Sequence, residues 1–246
     1  MSQICMIIPC FNEANRLKVS DFERFLQDHA RFDLLFVNDG STDETANLIN
    51  VICSKNANAM QLSLDKNSGK AEAIRQGFLH ILQTQNHYCV GYLDADLATP
   101  FSEILKMETT MKQYPSVKIL LGSRWKRLGS KIERNWMRHY MGRIFATMVS
   151  MIFNLDVYDT QCGAKIMQAE SLEPIFEDPF VSRWFFDIEI LLRIRRLNPD
   201  KSIDDWAMEW PINEWKEIGN SRISLFDFLS VPYQLWKIKR HYPILP

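Results

Sequence analysis

Two aspartates separated by one alanine, Asp94-Ala95-Asp96, end the apolar run Tyr88–Leu93. Carboxylate oxygens at that spacing suit a hard divalent cation such as Mg or Mn, and a cation there can hold a diphosphate. The plain alternative is a pair of turn residues or helix caps, and on this stretch alone the two readings stand level. Other acids follow other apolar runs: Glu13 after Ile4–Pro9, and Asp39 after Leu34–Val37. A carboxylate just past a strand tip can accept from ribose hydroxyls or a base N–H, although Asp39 followed by Gly40 also fits an ordinary helix-entry turn. Three acidic strand ends in succession favour a shared site. Asp187 falls in the first turn of an expected helix, where the helix dipole favours a carboxylate in any case.

Cations are concentrated elsewhere. From Arg124 to Arg143 the chain carries Arg124, Lys126, Arg127, Lys131, Arg134, Arg138 and Arg143 against the single acid Glu133. Such a run is usually a solvated face. Placed directly after the acidic pair, part of it is expected to bind anions.

These groups need a scaffold that gathers strand tips. Ile4–Pro9, Leu34–Val37, Met60–Leu64, Tyr88–Leu93 and Val117–Leu121 are short apolar runs of strand type. Ser20-Asp21-Phe22-Glu23 and Ser41-Thr42-Asp43-Glu44 have capping-box spacing ahead of helical periodicity. Gly69–Gln83 repeats apolar residues as a helix does, and Thr99-Pro100 reads as an N-cap and first helical position. Strand and helix in alternation predict one α/β domain, with a Rossmann-like, mostly parallel sheet flanked by helices and ligands at its C-terminal edge.

Further on, Ile144–Leu155 is apolar on most sides and suits a buried helix or one that touches lipid. Ser182–Leu197 reads as a helix, Ile203–Trp210 as a strand stopped by Pro211, and Trp215–Arg222 as a loop. Leu225–His241 mixes aromatic and basic residues. That suits a membrane interface, but an amphipathic helix packed on the sheet and interrupted by Pro232 is the favoured reading. The division expected is residues 1–223 as the domain and 224–246 as a C-terminal helical segment.

With 46% hydrophobic residues and a net charge of −1, the chain is globular and exerts no global pull on nucleic acid. Five scattered cysteines without zinc-type pairing read as reduced thiols in a cytoplasmic setting. The sequence predicts no secretory signal and no spanning helix, so any membrane contact is expected to be peripheral, at a cytoplasmic face. Neither G-x-G-x-x-G nor G-x-x-x-x-G-K-[ST] occurs, which argues against dinucleotide enzymes and P-loop ATPases.

With those residues in view, the chain resembles the family-two glycosyltransferases of GT-A fold, and within them the polyprenyl- and dolichyl-phosphate hexosyltransferases. The matching segments are Ile7–Leu17 (IIPCFNEANRL), Phe36–Thr45 (FVNDGSTDET), Leu93–Pro100 (LDADLATP), Gly122–Arg124, Asp159–Met167 (DTQCGAKIM), Arg183–Leu191 (RWFFDIEIL) and Trp215–Ser224 (WKEIGNSRIS). The last three look closer to the dolichyl-phosphate glucosyltransferase branch than to the mannosyl one.

The resemblance implies that Pro9, Phe11 and Glu13 flank the base and ribose of a nucleotide sugar and that Asp39 contacts one of them. Lys70, Asp94, Ala95 and Asp96 would complete the donor site, with Mg or Mn at Asp96. Arg124 would meet phosphate, and Lys216 would stand where mannosyl relatives carry an arginine near the diphosphate. Ala98 takes the place of a glutamine that serves mannosyl relatives as a metal ligand, so the metal would be weakly held or its shell completed by water.

The implied reaction is inverting transfer of a hexose, glucose from UDP-glucose in the first instance, to a polyprenyl or dolichyl phosphate. Arg134, Arg138 and Lys165 are the residues expected to hold the acceptor phosphate. A phosphate acceptor is already an anion near neutral pH and needs no strong base, whereas a sugar-hydroxyl acceptor would need one such as Asp187. The alternatives are GDP-mannose as donor, a sugar-hydroxyl acceptor, and a nucleotide-sugar-binding protein without activity. A nucleotidyltransferase is disfavoured, because Cys10-Phe11-Asn12-Glu13 is acidic and lacks the glycine-rich basic loop expected after its first strand.

Overall fold

A computed structural model describes residues 4–84, 87–133, 136–218 and 230–243. Nine strands alternate with helices among them. β1 (Ile4–Cys10), β2 (Phe32–Asp39), β3 (Ala59–Leu64), β4 (Cys89–Leu93), β5 (Ile119–Ser123), β7 (Ala164–Gln168) and β8 (Ala207–Pro211) form one seven-stranded sheet in the order β3-β2-β1-β4-β7-β5-β8. Two short strands, β6 (Lys131–Glu133) and β9 (Glu214–Lys216), pair in parallel beside it.

Near-continuous apolar strands are what a sheet covered on both faces requires. Alternation assigns their side chains to opposite faces. Cys5, Ile7, Leu35, Val37, Val90 and Tyr92 enter one core, beneath α3 (Lys70–Thr84), α5 (Trp136–Phe153), α6 (Glu173–Phe176), α7 (Phe186–Leu197) and α8 (Val231–His241). Ile4, Met6, Ile8, Leu34, Phe36 and Leu93 enter the other, beneath α1 (Val19–Asp28), α2 (Thr45–Lys55) and α4 (Phe101–Gln113).

All neighbouring pairs in the large sheet run parallel except those made by β7, which is antiparallel to both β4 and β5. In that register Ala164 faces Leu93 and Lys165 faces Tyr92. The start of β7 therefore lies against the C-terminal tip of β4, beside the two aspartates.

Several element boundaries differ from those expected. α1 begins at Val19, so Ser20 lies within its first turn, and α4 begins at Phe101 with Pro100 at the N-cap. Neither helix has a side-chain cap. α2 begins at Thr45 rather than after Ser41, because the Asp43 carboxylate accepts from the Thr45 N–H (3.0 Å) and the Ala14 N–H (3.1 Å) and so ties two loops together. Pro211 lies within β8 rather than after it. β8 bonds only to β5 among the described strands, and an edge strand tolerates the missing N–H. Pro232 sits in the first turn of α8, where its fixed φ suits a helix start, and interrupts nothing. Of Trp215–Arg222, residues 215–218 are described; Trp215 and Lys216 belong to β9 instead of a loop.

Candidate active site

The tip of β4 is built by backbone bonds. Asp94 N–H donates to the Gly163 carbonyl (3.2 Å), Leu97 N–H to the Asp94 carbonyl (3.1 Å), and Ala98 N–H to Asp96 Oδ1 (3.0 Å). The turn places Leu97 at φ 54, a left-handed conformation that a non-glycine residue keeps only when its surroundings enforce it. Gly163 is required by contact: a Cβ there would stand 1.9 Å from Asp94 Oδ2. The residue just before the antiparallel β7 thus supplies a floor without a side chain, and Asp94 lies on it.

The two aspartates are committed differently. Asp94 Oδ1 receives the Lys70 ammonium at 2.5 Å, delivered by the first turn of α3. Asp96 Oδ2 has Arg16 Nη1 at 3.7 Å, a longer contact, while Arg16 itself is held by Glu13 at 2.8 Å. Burial, and next the neighbouring Asp94 charge, push the Asp96 carboxyl above its ordinary pKa. For Lys70, burial opposes the charge, but Asp94 and Asp187 outweigh it and the net shift is upward.

Among the described residues no three histidine, cysteine or carboxylate side chains cluster as a complete metal cage. A carboxylate pair with like charges in proximity nevertheless fits Mg or Mn of the kind that is held by one or two carboxylates, substrate phosphates and water. Asp94 Oδ2, and Asp96 Oδ2 with Arg16 no nearer than 3.7 Å, are the oxygens of the pair that such an ion could take.

Around this tip the loops after β1 and β2 lock together. Asn12 N–H donates to Ser41 Oγ (3.1 Å), Thr42 N–H to Asn12 Oδ1 (2.9 Å), and Glu13 N–H to Thr45 Oγ1 (2.8 Å). This places Pro9, Phe11 and Glu13 beside the Asp39 strand end, as β1 and β2 pair in register with Pro9 opposite Val37. The Asp39 carboxylate accepts from Ser68 N–H (2.7 Å) and Gly69 N–H (2.8 Å) and holds the loop that leads into Lys70. Gly69 has φ 93, which only glycine adopts without strain.

Asp187 enters from the first turn of α7. Its Oδ1 accepts from Lys165 Nζ at 2.6 Å and from the Tyr92 hydroxyl, and the same ammonium donates to the Cys162 carbonyl at 2.7 Å. Burial, then Asp187, push the Tyr92 hydroxyl well above its ordinary pKa, so it stays a proton donor.

The sequence expectation for Lys165 is corrected here. Lys165 is fully buried in β7 and neutralises Asp187, so it presents no ammonium to an acceptor phosphate at the surface. Arg124 is also engaged: its Nε and Nη2 form a fork with Asp159 at 2.7 and 2.8 Å. Burial opposes the guanidinium charge, but Asp159 outweighs it and raises the pKa.

Lys216 is brought close by its backbone, its N–H donating to the Ala98 carbonyl (3.0 Å), while its exposed ammonium stands 3.6 Å from Glu133. Arg134 and the Arg138 side chain lie outside the described residues. Sequence reasoning missed Arg16, Gly163, Tyr92 and Asp159. Each acts through a residue far along the chain, and only Gly163, inside a polar turn, carried a local signal.

Residues 5–176 match the family model described as Glycosyl transferase family 2. A relative described as a dolichyl-phosphate beta-glucosyltransferase from Dictyostelium discoideum is 30% identical, the alignment covering 96% of this chain and 77% of the relative. Another so described, from Saccharomyces cerevisiae, is 32% identical, with 90% and 69% covered. Among solved structures, glucosyl-3-phosphoglycerate synthase from Mycobacterium tuberculosis, in complex with Mn2+, UDP-glucose and phosphoglyceric acid, superposes with a TM-score of 0.69. It covers 100% of this chain and 81% of that one, and at 13% identity it shows a shared fold.

Proposed function

The chain belongs to glycosyl transferase family 2 and has its single-domain GT-A fold, and on that premise we propose that it transfers glucose from UDP-glucose to a polyprenyl or dolichyl phosphate with inversion. The observation that carries the reading is the β4 tip, where two carboxylates stand together, Asp94 paired with Lys70 at 2.5 Å and Asp96 with Arg16 at 3.7 Å. The relatives described as dolichyl-phosphate beta-glucosyltransferases support glucose and the lipid phosphate, and the mycobacterial neighbour's UDP-glucose and Mn2+ support donor and metal.

In this reading the interlocked loops with Pro9, Phe11, Glu13 and Asp39 receive the nucleoside, and Lys70 and Asp94 orient the sugar diphosphate. Lys216 flanks the diphosphate from β9, and Arg124 stiffens the strand end through Asp159. A divalent cation bound with Asp96 and the donor would neutralise charge on the departing diphosphate. The acceptor phosphate oxygen bonds to the anomeric carbon as the bond from that carbon to the diphosphate breaks. UDP departs with the electron pair, and no proton has to move.

Asp187 fits this scheme better than a general-base role. The acceptor phosphate brings its own charge and needs no base, and Asp187 Oδ1 is already taken by the Lys165 ammonium and the Tyr92 hydroxyl. The test offers UDP-glucose and GDP-mannose in parallel, with a short polyprenyl phosphate and Mg or Mn. Lipid-linked glucose from UDP-glucose is expected; transfer of mannose alone, or transfer to a sugar hydroxyl in place of the lipid phosphate, would overturn the proposal.

A further inference from the structure

A site that handles phosphate needs cationic charge, and most of the cations already described there are also paired with the protein's own acids. Arg16 is paired with Glu13 and Asp96, Lys70 with Asp94, Arg124 with Asp159, and Lys165 with Asp187. Arg183 differs. Its side chain is exposed and makes no hydrogen bond or ion pair among the described residues. It lies against Gly69, with Nε 3.6 Å and Cδ 3.9 Å from where a Cβ on that glycine would stand. Gly69 is bonded to Asp39 and immediately precedes Lys70, so the guanidinium lies across the loop that joins the nucleoside side of the site to the β4 tip.

The backbone that carries Arg183 is held firmly. Val181 N–H and Ser182 N–H donate to Glu189 at 2.9 and 2.7 Å, and Trp184 N–H and Phe185 N–H donate to Ser182 Oγ at 3.3 and 3.1 Å. Ser182 Oγ donates in turn to Gln234 Oε1 of α8 at 2.6 Å. A planar five-donor group with no internal partner, carried on a fixed backbone, has its donors open for the forked bonds that a phosphate accepts.

We propose that the Arg183 guanidinium binds a phosphate group of a substrate at this site. Two sources share that chemistry, the diphosphate of the donor and the monophosphate of the acceptor; the assignment to a substrate rests on the transferase reading, and the binding itself does not.

The test compares wild type with Arg183→Gln and Arg183→Lys by calorimetric titration, using UDP with Mn2+ as one probe and a short prenyl monophosphate as the other. Losing a forked, charge-assisted pair is expected to weaken one probe about 10–100-fold in the glutamine variant, with partial recovery in the lysine variant. Weakened UDP places Arg183 on the donor, and weakened monophosphate places it on the acceptor. Affinities for both probes within about twofold of wild type in the glutamine variant, or no binding of either probe by wild type, would overturn the proposal. Absence of glucosyl transfer by a wild type that binds either probe would count against the transferase reading alone. Melting temperatures of both variants guard against a folding effect, and an exposed side chain predicts none.

Discussion

At the scale of single residues, the site depends on a missing Cβ. The three atoms nearest a methyl group at Gly163 all belong to the carboxylate end of Asp94, so Gly163→Ala should fold normally while Asp94 swings off its floor. A displacement of about 1 Å in a positioning group costs on the order of 10²-fold in turnover. Turnover of Gly163→Ala is accordingly expected to fall about 10²-fold with an unchanged circular dichroism spectrum; full activity would show that Asp94 need not sit where it does.

Asp187 calls for a paired experiment, because Asp187→Asn strands the buried Lys165 ammonium and should cost about 3–5 kcal/mol of stability. Asp187→Asn combined with Lys165→Met should recover most of that in denaturant titration. If Asp187 is no general base, the double variant keeps turnover within about tenfold of wild type, whereas loss of a base removes about 10²–10⁴-fold. Asp94, Asp96 and Asp39 were legible in the sequence because acids just past apolar runs mark strand tips. Lys165 was not, because its partners are Tyr92, opposite it in register on β4, and Asp187 on α7, which no local spacing encodes.

At the scale of elements, β1 to β5 and most of the helices follow from periodicity, and the errors concentrate at helix starts. There the acids that resemble caps serve tertiary contacts instead, as Asp43 does. The antiparallel direction of β7 was not legible, since an apolar run reads alike in either direction, yet that direction puts Gly163 under Asp94. A similar tertiary use of an acid ties α4 to the segment before β9. Glu103, fully buried, accepts from Lys106 Nζ (2.7 Å) and from Asn213 N–H (3.0 Å), and so fixes the approach to Lys216.

Burial raises the Glu103 pKa, but Lys106 and Asn213 outweigh it and the net shift is downward. A folded-state pKa below the unfolded one, about 4.3 for glutamate, gives stability that is present above that pH and lost as pH falls through the folded value. Glu103→Gln should therefore cost about 1–3 kcal/mol near neutral pH, and the gap to wild type should close in acid. A gap independent of pH in denaturant titrations would contradict this assignment.

At the scale of the whole molecule, two cores clamp one sheet, and the site collects at its C-terminal edge with a contribution from nearly every part of the chain. The described part of the C-terminal segment joins the larger core through Val231, Leu235 and Ile238 of α8. Among the described residues no helix is long and apolar enough to cross a membrane. The family motifs were legible because they are those strand tips and loops in order, while the ion-pair web beneath them arises only when distant segments meet.

The central claim is that the chain moves glucose from a nucleotide sugar to a lipid phosphate through the Asp94/Asp96 tip. The most direct measurement is formation of lipid-linked glucose from UDP-glucose and a short polyprenyl phosphate in Mg or Mn, for wild type beside Asp96→Asn. We expect product from wild type, abolished by a chelator, and at least about 10²-fold less from the variant, as for removal of a group that stabilises the leaving charge. Equal product from Asp96→Asn, or none from a wild type that still binds UDP, would contradict the account.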